Sequence, residues 1–153
     1  MTTEESKAIE HMNSFPVYQL VGMRVTEMSG GRAEVVLDDI GERHFGGMEG
    51  HKAVHGGIIA TLGDAAMSRA LASSIGFDQP FATISLSVEY LRPLVGDRAA
   101  AHGRTIRHGR RLAFAEARVC DSEGRDCAVL HAAFALGLES ATRTVQGAAD
   151  EAE

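Results

Sequence analysis

The chain has 153 residues, of which 44% are hydrophobic and 24% charged, with a formal net charge of −6. That length fits one domain large enough to bury a core. The acidic balance argues against a nucleic-acid-binding surface as the main purpose. No run approaches eighteen uninterrupted apolar residues, so no membrane-spanning helix is expected. The opening MTTEESKAIEHMNSF is polar and lacks the apolar stretch of a signal peptide. Two cysteines without a closely spaced Cys/His cluster point to a reducing cytoplasm and to no structural zinc.

Residues 3–13 read as a short helix with Thr2 or Thr3 as N-cap, ended before Pro16. Residues 1–19 thus form a helical lead-in to a domain over 20–138. Two strands, 23–28 and 32–37, are joined through Ser29, Gly30 and Gly31. Residues 39–54 are irregular and dense in Gly, His and Glu, and a loop of that length in a compact domain is usually functional. A long helix over about 55–75 follows, stopped by Gly76 and the Pro80 region.

Three strand-like runs come next, at 81–91, 98–107 and 112–120, and a last strand at 127–138. In the first of these Leu86, Val88 and Tyr90 share one face, read as core packing, opposite Ser85, Ser87 and Glu89. The four late strands read as a meander. If Glu123 and Gly124 make a two-residue hairpin loop, Cys120 and Cys127 face each other; a three-residue loop puts them out of register. The compartment argument favours two buried free thiols. Residues 139–153 carry four acids and one arginine and read as a flexible acidic tail.

The segment Val54-His55-Gly56-Gly57-Ile58-Ile59-Ala60-Thr61-Leu62-Gly63-Asp64-Ala65-Ala66-Met67 carries the most chemistry. A helix this apolar must be covered on nearly every side, which predicts an α+β fold with one antiparallel sheet wrapped around a central helix. Within it stands Asp64. Burying an ionised carboxylate costs several kcal/mol unless it is paired or hydrogen-bonded, so Asp64 is either a satisfied core acid, pairing with Arg69 or capping a neighbour, or a chemical group. Gly56 and Gly57 open the helix, where free N–H groups and the dipole favour negative charge and can hold an oxyanion. Asp64 lies eight residues on, roughly 12 Å along the axis. One chain cannot bring both to one carbonyl. Two antiparallel helices in a symmetric dimer can, each lending its acid to the other's terminus.

This order of elements resembles the hotdog fold, and within it the PaaI-like acyl-CoA thioesterases. The likeness rests on Val54-His55-Gly56-Gly57, on Asp64, on Thr83-Ile84-Ser85-Leu86-Ser87-Val88-Glu89-Tyr90-Leu91-Arg92-Pro93, and on Gly109-Arg110. It implies a homodimer with two shared sites, with dimers pairing further into a tetramer. It also implies hydrolysis of an aromatic or medium-chain acyl-CoA to acid and free thiol, coenzyme A being part of the substrate and no cofactor or metal taking part. Gly56 N–H would polarise the thioester carbonyl, and Asp64 would act as nucleophile or general base. In the family the equivalent of His55 holds the loop and helix start by a side-chain hydrogen bond. Gly57, Ser68 and Thr83 are candidate substrate-side groups. The family places coenzyme A near the Gly109-Arg110 turn, within a basic stretch of Arg104, Arg107, His108, Arg110 and Arg111. Arg92 is a further phosphate candidate.

Glu49 departs from the pattern, because relatives commonly carry Asn or Gln six residues before the histidine. A second carboxylate near Asp64 would raise one of the two pKa values; Glu49 could take over as base, alter the substrate range, or point to solvent. Three other readings stay open at this point. One is a hotdog hydratase or dehydratase. A second is a non-catalytic acyl-CoA-binding dimer. The third is a metal site built on His44, His51 and His55.

Overall fold

The computed structural model describes residues 2–47 and 49–138. The acidic tail expected at 139–153 lies outside the described residues. Helix α1 (Thr3–Asn13) starts on a capping box, with Thr2 Oγ1 accepting from Glu5 N and the Glu5 carboxylate accepting from Thr2 N. Helix α2 (Pro16–Val21) follows at once. Pro16 therefore does more than stop the first helix. A proline is also well placed at the first position of a new one. Tyr18 and Val21 of α2 are buried in the core, so the lead-in packs as part of the domain.

Strands β1 (Met23–Ser29) and β2 (Arg32–Leu37) form a hairpin. Its two loop residues, Gly30 and Gly31, both have positive φ (54° and 78°), the conformation that two-residue hairpin turns require. The central helix α3 (Gly56–Ile75) is capped by His55 and ends at Gly76, whose φ is 103°. Strands β3 (Phe81–Tyr90), β4 (Ala99–His108), β5 (Leu112–Asp121) and β6 (Asp126–Leu136) complete the chain.

All six strands join one antiparallel sheet in the order β1-β2-β4-β5-β6-β3. The expected meander holds for β4, β5 and β6 only. Strand β3 pairs with β6 at the far edge, and the chain crosses back through 91–98 to place β4 beside β2. Helix α3 lies in the concavity of the sheet, against β4, β2 and β5, and barely touches β3. Two glycines permit that approach. A methyl on Gly103 of β4 would collide with the Ala66 carbonyl, and one on Gly63 of α3 would meet Leu130 of β6. The core between helix and sheet is built from Met28, Leu62, Met67, Leu71, Leu130 and Phe134, all fully buried.

The sheet's two edges differ. On β1 the Asn13 side chain donates to Val25 O and accepts from Val25 N (3.0 and 2.7 Å), standing in for a strand neighbour. Among the described residues nothing pairs with the outer edge of β3.

Cys120 pairs with Asp126 and Val119 with Ala128, so Cys127 is an extra, bulged residue. Both cysteines are free and buried. The turn between them is organised by Asp121, whose carboxylate accepts from Glu123 N, Arg125 N and Arg125 Nε.

Candidate active site

The start of α3 is pinned from three directions. His44 is buried, its Nδ1 accepting from Gly41 N and its Nε2 donating to Val21 O (3.0 and 2.7 Å). Its carbonyl accepts from His55 N at 2.7 Å. Both ring nitrogens of His44 are therefore engaged internally, and among the described residues no group of three His, Cys, Asp or Glu is arranged to hold a metal ion. His55 Nδ1 accepts from Gly57 N at 2.9 Å. His55 O accepts from Ile58 N and Ile59 N (2.9 and 3.2 Å). Of the first four helix N–H groups, only that of Gly56 has no partner among the described residues.

Gly56 lines a groove of about 450 Å³ together with Val54, Ile59, Tyr90, Arg92 and Leu94 among others. The alternation of β3 predicts Tyr90 as core. The structure instead leaves it 53% exposed, with its hydroxyl donating to Gly56 O at 2.7 Å. Leu86, on the same face of the strand, is 40% exposed. Val88 between them is half-buried against the core, but β3 as a whole shows no alternation of burial, because α3 does not reach far enough to cover the edge strand. A strip of side chains between α3 and β3 faces outward.

Asp64 lies on that strip. It is half-buried, and its Oδ1 accepts from Thr83 Oγ1 at 2.9 Å. Thr83 sits beside a bulge that sets Ile84 out of register with β6, and bulges of this kind re-aim neighbouring side chains. Arg69, the expected core partner of Asp64, is turned away, with Nη1 donating to Met12 Sδ of α1. Among the described residues Asp64 forms no ion pair. Ser68, one turn on, is buried. Tyr18 lies beneath this part of α3. Burial pushes its hydroxyl pKa up, with Arg69 acting against that shift and Asp64 with it.

The remaining candidates stand apart in the chain. Gly109 and Arg110 line a cleft with Ser74, Ile75 and His108 at the C-terminal end of α3. Glu49 is exposed in the 39–54 loop, in a groove shared with Glu42, Phe45, His51 and Lys52. One chain thus brings His55, Gly56, Gly57 and Arg92 together, and Asp64 with Thr83 and Ser68. It does not bring these two groups or the Gly109-Arg110 cleft to one point. Two residues that sequence reasoning does not place at the site are Tyr90 and His44. The spacing of Tyr90 from the helix carries no hint of a bond to Gly56.

Residues 51–128 match the family model described as thioesterase superfamily. The chain belongs to the thioesterase superfamily. The matched span runs from the loop before α3 through β5 and into β6, so it contains both groups of site residues. A Pseudomonas aeruginosa protein named as a putative esterase is 34% identical over 113 residues, which are 72% of this chain and 81% of that one. A solved thioesterase-superfamily protein is 31% identical, with a TM-score of 0.78 over 90% of this chain and all of its own. The phenylacetic acid degradation protein PaaI from Thermus thermophilus, solved as a point mutant, is 24% identical. It superposes with a TM-score of 0.68 over 79% of this chain and 98% of its own, a likeness of fold. The fold of this thioesterase-superfamily chain is the hotdog, its α3 wrapped by the sheet. Its family supports thioester hydrolysis as the general chemistry.

Proposed function

We propose that this protein is an acyl-CoA thioesterase acting as a homodimer with two shared active sites. The observation that carries this reading is the separation on α3 of a Gly56 N–H without a hydrogen-bond partner and a half-buried Asp64 without an ion pair, both among the described residues, roughly 12 Å apart along the axis. Neither completes a site alone. With two helices antiparallel, the partner's Gly56 comes level with Asp64. The thioester carbonyl oxygen sits on the partner's Gly56 N–H, where a fixed donor stabilises the oxyanion of the tetrahedral intermediate. Asp64, held by Thr83, either attacks the carbonyl carbon or takes a proton from the attacking water. In both routes the C–S bond breaks, the thiol leaves, and water supplies the oxygen of the acid.

The outward strip between α3 and β3, with Leu86, offers apolar surface for the acyl group. The C-terminal end of α3 is roughly 16 Å beyond Asp64. An extended pantetheine arm can bridge that distance to the Gly109-Arg110 cleft, where Arg110 would meet phosphate. Arg92, at the Gly56 groove, is the second phosphate candidate.

The test is thiol release from a panel of aromatic and medium-chain acyl-CoAs, wild type beside Asp64→Asn. Release by wild type and its loss in a folded variant is the expected result. A folded Asp64→Asn with full turnover would overturn the role of Asp64. Stabilisation by coenzyme A without release from any thioester would instead favour the non-catalytic binding dimer.

A further inference from the structure

We infer that Tyr90 is a positioning residue that holds the Gly56–Gly57 peptide at the start of α3, next to the Gly56 N–H that binds the oxyanion. The inference rests on the thioesterase reading for its catalytic meaning, but its structural half stands on the geometry alone. Gly56 and Gly57 admit a ligand close to the backbone, at the cost of a segment with almost no intrinsic conformational preference. A donor that acts on a transition state must be fixed in advance, since a mobile one spends its hydrogen bond on ordering itself.

Two side-chain bonds to one peptide add to the backbone bonds of this first turn. The peptide linking Gly56 to Gly57 is held at its N–H by His55 Nδ1 (2.9 Å) and at its carbonyl by the Tyr90 hydroxyl (2.7 Å). His55 belongs to the same turn and moves with it. Tyr90 belongs to β3, on the far side of the groove, and is the only side chain from another strand or helix that donates to this turn among the described residues. Its ring also closes the space over Gly56: a methyl there would come within 3.0 Å of Tyr90 Cζ and Oη. The same aromatic side chain therefore crowds a larger residue at position 56 and restrains the glycine that fits beneath it. The unpartnered Gly56 N–H lies directly before the restrained peptide. Loosening that peptide lets the donor swing away from the carbonyl it is to meet.

Tyr90→Phe separates the two effects, because it keeps the ring and deletes only the hydroxyl. We expect kcat for thioester hydrolysis to fall about tenfold, the scale of one lost hydrogen bond. KM should change less than about twofold, since the interaction serves the transition state more than the ground state. The second readout needs no turnover. Amide hydrogen exchange at Gly57, resolved by NMR, should quicken in Tyr90→Phe while exchange in β5 and β6 stays as in wild type. Unchanged kcat in Tyr90→Phe overturns the catalytic half, and unchanged Gly57 exchange overturns the structural half. A wild type that releases no thiol counts against the thioesterase reading, and the exchange experiment still decides whether Tyr90 restrains the turn.

Discussion

Thr83 donates its hydroxyl to the Asp64 carboxylate at 2.9 Å, across the gap between the edge strand and the central helix. It is the one side chain among the described residues that hydrogen-bonds Asp64, so it selects which carboxylate oxygen remains for chemistry. Thr83→Val preserves the shape and removes the donor. It should lower kcat/KM by about threefold to tenfold with little change in melting temperature. Steady-state kinetics beside a thermal melt checks both.

The close approach of helix and sheet at Gly103 should govern stability. A Cβ there meets main-chain atoms of Ala66 and Met67, which cannot move without shifting the helix. Gly103→Ala should cost about 1–3 kcal/mol, the range for overpacking. Gly63→Ala should cost less, because it presses on the Leu130 δ-methyl ends, which can turn. Urea denaturation of the two variants ranks them.

Asp121 gives a pH signature. Hydrogen bonds from Arg125 N, the Arg125 side chain and Glu123 N hold its carboxyl pKa below the ordinary value of 3.8. A lowered folded pKa contributes stability that is complete above the unfolded value and is lost as pH falls through the folded one. The melting temperature of wild type should therefore exceed that of Asp121→Asn at neutral pH. The gap should close only as pH drops below about 3.8.

The two thiols should be inert in the native protein. Burial pushes Cys120 up to about 12, reinforced by its hydrogen bond to Asp126 (Sγ to Oδ1, 3.2 Å), and burial also raises Cys127. The thiolate is the reactive form. Iodoacetamide at pH 8 should leave both unlabelled in native protein and modify both in denaturant, as mass spectrometry would show.

Much of this is legible in the sequence. The apolar run with an acid at its centre marks α3, and strand-like runs mark six strands close to their observed limits. The Gly-Gly turn after Ser29 marks the first hairpin. What is not legible depends on long-range packing. Local pattern cannot tell whether β3 pairs with the next strand or with the last. Nor can it tell that the helix stops short of Leu86 and Tyr90. Pro16 carries two opposite signals, stop and start, and only burial of Tyr18 and Val21 decides between them. The candidate site residues are proposed from type and motif. Tyr90 escapes because a residue on an alternating strand reads as packing until its hydroxyl is seen to reach a helix carbonyl.

The unequal edges of the sheet have a further consequence. Asn13 occupies the N–H and C=O of Val25 on β1, while among the described residues nothing pairs with the outer row of β3. Exposed edges invite pairing with other chains, and repeated pairing builds fibres. A molecule with one plugged and one open side is like a cord with a single free hook. If the proposed dimer joins through β3 about a two-fold axis, no hook is left on that sheet.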